Sequence, residues 1–195
     1  MSRFYYQHRY SEDLDFFSIS EFKDFRAMLT KILDAARQEN FSIEVETVSD
    51  HFFRIYVKEK EKEVPLKIDF VNEVTFRWGN AKQFPVFSCV DNETNILSNK
   101  ISCASRYEVK DIVDIWAVAK HKAFSWRDIM SIANQKSPVD PVEVSKIIKT
   151  LPLEELKLVK WASDVEISEV YGDLQAIAKD VLLGHPNTLN STTNS

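Results

Sequence analysis

The chain has 195 residues, 44% of them apolar, with 13 Phe and 4 Trp; this is enough to bury a sizeable core in one domain or two small ones, and it excludes a disordered protein. A formal charge of −5 excludes a general nucleic-acid-coating surface but leaves room for a local basic groove. Glycine occurs only at Gly79, Gly172 and Gly184, so there is no Gly-rich loop of the Walker or Rossmann kind to cradle phosphates through backbone N–H groups.

The first predicted element is the strand around Ser11-Glu12-Asp13-Leu14-Asp15-Phe16, where alternation sends Asp13 and Asp15 to one face and Leu14 and Phe16 to the other. Ser18 with Glu21 three residues later reads as a capping box. Phe22, Phe25, Leu29, Ile32, Leu33 and Ala36 then recur at helical spacing, predicting a helix to about Asn40. Residues 43–48 and 52–58 are β-branched or aromatic runs joined at Ser49-Asp50, a hairpin; the charge run 58–63 is a solvated turn, and 64–71 supplies the next strand. Residues 84–90 are expected to add a short strand, with Pro85 favouring an edge.

From about Glu93 the periodicity becomes helical. Ile96, Leu97, Ile101 and Ala104 mark one helix, and Val109, Ile112, Val113, Trp116, Ala117 and Ala119 a second. Trp126, Ile129, Met130 and Ile132 mark a third. Pro141 opens a fourth, Pro152 ends it and opens a fifth over 153–161, and a sixth runs from Ile167 to Leu183, closed by Gly184 and Pro186. The tail 185–195 is polar and expected to fray. The fold class is α+β, with a mixed α/β part over 1–92 and a helical part over 93–184. The two separate cysteines, Cys89 and Cys103, fit reduced thiols, the N-terminus carries no signal-peptide pattern, and no stretch approaches the ~20 apolar residues of a membrane span. A cytoplasmic protein without membrane association is expected.

A second strand, Leu66-Lys67-Ile68-Asp69-Phe70-Val71, repeats the logic of the first, with Lys67 and Asp69 opposite Leu66, Ile68 and Phe70. If the two strands are neighbours, Asp13, Asp15 and Asp69 converge. Three such charges repel unless a divalent cation lies between them, and oxygen ligands select Mg²⁺ or Mn²⁺ over zinc, the plan of a metal-dependent phosphoryl-transfer site. The competing reading is an edge strand with a solvated acidic face, in which Asp69, costly to bury unpaired, makes a structural salt bridge with Lys67. His8, His51, His121 and His185 are scattered and read as ordinary residues, which disfavours a metal-dependent phosphodiesterase. In the helical part, Arg106, Lys110 and Asp114 fall at i, i+4 and i+8, Asp111 lies one turn from Asp114, and Lys100 lies one helix earlier. The simplest reading of that stripe is solvent-facing charge pairing.

His8-Arg9-Tyr10-Ser11-Glu12-Asp13-Leu14-Asp15-Phe16-Phe17, Leu66-Lys67-Ile68-Asp69-Phe70, Asn99-Lys100-Ile101, and the segment from Arg106 through Lys110 and Asp111 to Asp114 and Ile115 occur in that order. This succession resembles the motifs of the AbiEii/AbiGii-type nucleotidyltransferase toxin family over roughly residues 4 to 120. The resemblance implies a minimal polymerase-β-like nucleotidyltransferase core within 1–92, with Asp13, Asp15 and Asp69 as catalytic metal ligands. Ser11, Lys67, Lys100, Arg106, Lys110, Asp111 and Asp114 are the implied nucleotide-binding set, with Lys100 on phosphate. The implied substrate is a nucleoside triphosphate and the implied cofactor Mg²⁺ or Mn²⁺. The implied acceptor is an RNA, such as a tRNA end, or a protein hydroxyl, and a cognate antitoxin is the implied partner.

The sequence departs from the family in two places. The Gly-Gly or Gly-Ser turn that the family carries about ten residues ahead of the D-x-D, where a helix N-terminus holds the triphosphate, is not in this sequence. Lys110 also stands where arginine is commoner, keeping charge but losing a bidentate donor. The first departure leaves two readings open: an enzyme whose reading frame extends upstream, or a truncated, inactive relative acting as a protein-binding module.

Overall fold

In the computed structural model, which describes residues 2–18, 24–59, 62–72 and 76–190, four strands form one mixed sheet in the order β1-β4-β3-β2. They are β1 (Asp13–Phe17), β2 (Phe41–Val48), β3 (Phe52–Glu59) and β4 (Leu66–Val71). β2, β3 and β4 form an antiparallel meander, and β1 runs parallel to β4 at one edge. The hairpin closes at Ser49, whose hydroxyl accepts from Phe52 N at 2.9 Å. β4 starts two residues later than expected, after Pro65, which has no N–H to donate to a ladder.

A parallel neighbour requires a crossover, and α1 (Phe25–Gln38) lies on that path between β1 and β2. The helix is capped by Asp24, whose carboxylate accepts from Ala27 N at 3.0 Å, six residues beyond the expected capping residue Ser18; Glu21 of that capping box lies outside the described residues. Phe25, Met28, Leu29 and Ile32 pack on Phe53, Ile55, Ile68 and Phe70, the apolar set that alternation sends to one face of the sheet. Phe16, Phe70, Phe53 and Phe25 form a continuous aromatic row with centroid separations of 5.1, 4.5 and 4.8 Å. With that face covered, the other is left to the polar residues.

The chain divides into two compact units, one of Ser11–Thr75 and one of Met1–Tyr10 with Phe76–Ser195. By hydrophobic periodicity alone the division falls at 92/93. Residues 76–92 and the first ten residues join the helical unit for a visible reason: Phe84 and Phe87 pack on Phe4, and Phe84 on Tyr5, at 5.3, 5.3 and 5.4 Å. Those contacts also explain why 84–90 is not a strand. It is a loop closed by a single bridge between Lys82 and Val90, with Pro85 unable to extend a ladder.

The helices are α2 (Glu93–Ser102), α3 (Val109–His121), α4 (Trp126–Asn134), α5 (Pro141–Lys149), α6 (Leu153–Lys157) and α7 (Ile167–Leu183). Asn92, Ser125 and Asp140 cap three of them with side-chain oxygens. α3 is the central element, with every residue from Asp111 to Ala119 buried. α6 stops four residues short of the expected Trp161, because 160–162 pair with the N-terminal segment: Tyr10 N donates to Lys160 O at 2.8 Å and Ala162 N to His8 O at 3.1 Å. α7 ends at Gly184 with φ of 63°, the left-handed cap that glycine adopts without strain. The expected fraying does not describe residues 185–190. Asn187 is buried and donates to Ala119 O and Lys122 O at 2.7 and 2.8 Å, and Thr188 is held by Asp180.

Candidate functional site

The polar face of the sheet is built by register. Asp15 pairs with Asp69 and Asp13 with Lys67 across β1 and β4, while Arg54 pairs with Asp69 and Tyr56 with Lys67 across β3 and β4. Strands lie about 4.8 Å apart, so Asp13, Asp15, Lys67, Asp69, Arg54 and Tyr56 form one polar surface opposite the α1-covered core. A register shift between Val45 and Thr47 marks a β-bulge that brings Glu46 to the same surface, where its carboxylate accepts from Arg54 Nη1 at 3.2 Å.

Asp69 is buried, and its main partner is Arg54 rather than Lys67. Arg54 donates from Nε to Oδ1 at 2.6 Å and from Nη2 to Oδ2 at 2.8 Å, a two-pronged ion pair. The hydrogen bonds to Asp69 push the guanidinium further above its ordinary range. Lys67 lies between two acids, 3.3 Å from Asp13 and 3.9 Å from Asp69. Ser11 is exposed and donates to the backbone and carboxylate oxygens of Asp13 at 3.2 and 3.3 Å. Asp15 is exposed at the edge strand.

The donor set suits a hard divalent cation in kind and in strand position: three carboxylates on adjacent strands, one face, one end of the sheet. Their side chains are not drawn together as a ligand set, however. Among the described residues no group of three or more His, Cys, Asp or Glu side chains is gathered around a common point. The cause is visible: Arg54 occupies both oxygens of Asp69, and Lys67 draws Asp13.

The remaining expected residues lie in the helical unit. Asp114 is 1% exposed, so the Asp111–Asp114 end of the stripe read as solvent-facing is a buried charge centre. Arg9 grips it with two prongs at 2.8 Å, His8 Nε2 lies 2.9 Å from Oδ1, and Lys100 Nζ is 3.3 Å from Oδ2. Lys100 also holds Asp111 at 2.5 Å. Burial pushes the Asp114 carboxyl upward, but the hydrogen bonds from His8 and Arg9 and the charge of Lys100 outweigh it and hold Asp114 well below the usual carboxylate range. Burial likewise pulls Lys100 down, and the charges of Asp114 and Asp111 override it and raise it. Arg106 is not on the helix of Lys110 and Asp114. It ends a separate 3-10 turn, Ala104–Arg106, and Tyr107 with φ of 55° re-aims the chain before α3 begins. Arg106 and Lys110 are both exposed.

Sequence reasoning missed Arg54, Arg9 and His8. Arg54 had a signal, being the one cation inside the apolar run Phe52-Phe53-Arg54-Ile55-Tyr56-Val57, on the face opposite Phe53 and Ile55. His8 and Arg9 open the first family motif, but no local signal points from them to Asp114, more than 100 residues away.

The family model for the nucleotidyl transferase AbiEii toxin of type IV toxin–antitoxin systems matches residues 1–187. Among solved structures, the chain is similar to a candidate nucleotidyltransferase from H. pylori, at 20% identity and a TM-score of 0.62 over 92% of this chain and 81% of that one. It is also similar to JHP933 from Helicobacter pylori, at 17% identity and a TM-score of 0.60 over 92% and 78%, and to MenT4, a nucleotidyltransferase toxin from Mycobacterium tuberculosis, at 13% identity and 0.61 over 97% and 72%. At these identities the likeness establishes the fold. No curated protein matches the chain in sequence.

Proposed function

We infer the activity from one premise: the chain belongs to the AbiEii family of nucleotidyltransferase toxins of type IV toxin–antitoxin systems. The reaction is the transfer of a nucleoside monophosphate from a nucleoside triphosphate to a hydroxyl, with release of pyrophosphate. The observation that carries the assignment to particular residues is the pairing of Asp15 with Asp69 and the position of Asp13 on the same face.

Asp13, Asp15 and Asp69 are the residues that would hold Mg²⁺ or Mn²⁺. A divalent ion bound there supplies charge neutralisation at the triphosphate and lowers the barrier to attack at the α-phosphorus. The protein's own part is placement. β1 and β4 are joined by a ladder and backed by the Phe16–Phe70 stack, so the carboxylates sit on a rigid support rather than on a loop. Lys67 lies 3.3 Å from Asp13 and 3.9 Å from Asp69 and offsets part of their mutual repulsion. Ser11 steadies Asp13 from the segment just before β1. In the helical unit, Lys100 is assigned to phosphate, with Asp111 and Asp114 holding its ammonium and Arg106 and Lys110 offering exposed positive charge.

The acceptor is an RNA, such as a tRNA end, or a protein hydroxyl, and a cognate antitoxin completes the system. The test offers the protein total tRNA and cell protein with each of the four α-labelled triphosphates and Mg²⁺. Label in one acceptor class with a preferred nucleotide is expected. No incorporation into either class with any triphosphate overturns the assignment.

A further inference from the structure

The carboxylate face holds an internal cation, Arg54, on one of the carboxylates assigned to a metal. Both oxygens of Asp69 are engaged by Arg54, at 2.6 and 2.8 Å, and the same guanidinium donates its remaining terminal nitrogen to Glu46 at 3.2 Å. Glu46 is there because of the β-bulge between Val45 and Thr47, and the Tyr56 hydroxyl lies 3.4 Å from its second carboxylate oxygen. Arg54 therefore sits between two acids, one belonging to the expected ligand set and one outside it. Its side chain is 30% exposed, which leaves it room to move. A divalent cation and a guanidinium on the same carboxylate repel each other, and Asp69 cannot turn toward Asp15 while both of its oxygens point at Arg54.

We propose that Arg54 is a positioning residue that holds Asp69 in the cation-free protein and gives it up when a divalent cation binds, with Glu46 retaining the displaced guanidinium. The inference rests on the reading of Asp13, Asp15 and Asp69 as cation ligands. It explains why those carboxylates share a face yet are not gathered about a common point. It also gives the bulge a purpose, since a regular ladder would leave no extra residue at position 46.

The test uses the full chain and Mn²⁺ or Mg²⁺ alone, without nucleotide. The Nε–Hε resonance of Arg54, followed by NMR during Mg²⁺ titration, should shift as its bond to Asp69 breaks. Mn²⁺ affinity, measured by calorimetry, should tighten by about tenfold in Arg54→Gln, roughly the equilibrium value of one charge-assisted hydrogen bond. Glu46→Gln should weaken binding in the wild-type background and have no effect in the Arg54→Gln background. A simple long-range charge effect predicts the same weakening in both backgrounds, and that result overturns the proposal. So does an Arg54 resonance unmoved at saturating Mg²⁺, a readout that needs no variant. Asp69→Asn separates the two levels: if Mn²⁺ binds it as tightly as wild type, or binds neither, the cation-site reading itself fails, whereas binding lost only in Asp69→Asn with Arg54 unresponsive leaves that reading standing and removes the role of Arg54.

Discussion

Replacing Asp114 by Asn keeps the side chain's shape and removes one charge from a site that is 1% exposed. The carboxylate accepts from Arg9 through two bonds of 2.8 Å, lies 2.9 Å from His8 Nε2 and 3.3 Å from Lys100. Asn can satisfy one of these donors through its oxygen, but its amide presents hydrogens to the others. Lys100 then keeps Asp111 as its nearby acid, and largely buried Arg9 loses its two-pronged carboxylate. Breaking a buried ion pair by removing one partner costs about 3–5 kcal/mol, a large part of the ~5–15 kcal/mol that holds a typical domain. For a chain of this length the melting temperature should fall by roughly 6–20 °C. The assay is urea unfolding followed by tryptophan fluorescence, which reports the helical unit because Trp78, Trp116, Trp126 and Trp161 all lie in it. Lys100→Met added to Asp114→Asn should recover part of the loss. A loss below about 1 kcal/mol would refute the view of Asp114 as the electrostatic centre of this unit. The pH dependence gives a second check. The folded carboxyl is held below its unfolded value, so its contribution is present above pH ~4 and is lost as pH falls toward the folded value. The difference between wild type and Asp114→Asn should therefore shrink in acid.

Burial pushes the Lys136 ammonium down to about 8, so the folded state releases this proton before the unfolded chain does, and its contribution to stability should rise with pH between about 8 and 10.5; Lys136→Met should abolish that slope in unfolding titrations. Asn187→Ala strands the carbonyls of Ala119 and Lys122, and should cost about 1–3 kcal/mol in the same urea assay. Phe53→Ala empties a fully buried position in the aromatic row under the sheet and should cost about 3–5 kcal/mol, read by far-UV circular dichroism.

The sheet was legible because alternation is a local signal: Asp13 against Leu14, and Asp69 against Ile68 and Phe70, assign faces before any partner strand is known. Which side chain meets Asp69 was not legible, because that depends on strand order. Lys67, two residues away, was the visible candidate, and Arg54, fifteen residues away, became the partner once β3 was placed beside β4. The buried centre at Asp114 was misread for a different reason. A charge stripe at helical spacing implies a solvated face only if the helix has one, and α3 is apolar nearly all round, from Ile112 through Ala119. Arg9 and His8 reach Asp114 from the N-terminal end of the chain, more than 100 residues away, a contact set by tertiary folding alone. Residues 84–90 carried a strand-like composition, but Phe84 and Phe87 were placed by the aromatic residues Phe4 and Tyr5 instead.

The most direct test of the account is a comparison of α-labelled with γ-labelled nucleoside triphosphate as substrate for the wild-type chain, Asp15→Asn and Asp69→Asn, with Mg²⁺ and tRNA or protein acceptor. Nucleotidyl transfer moves the α-phosphate and leaves the γ-phosphate in pyrophosphate, so only the α-label should enter the acceptor. Each variant should lose the activity by at least 100-fold while keeping its far-UV spectrum. Transfer of the γ-label, or full activity in Asp69→Asn, would contradict the assignment of this sheet face as the catalytic site.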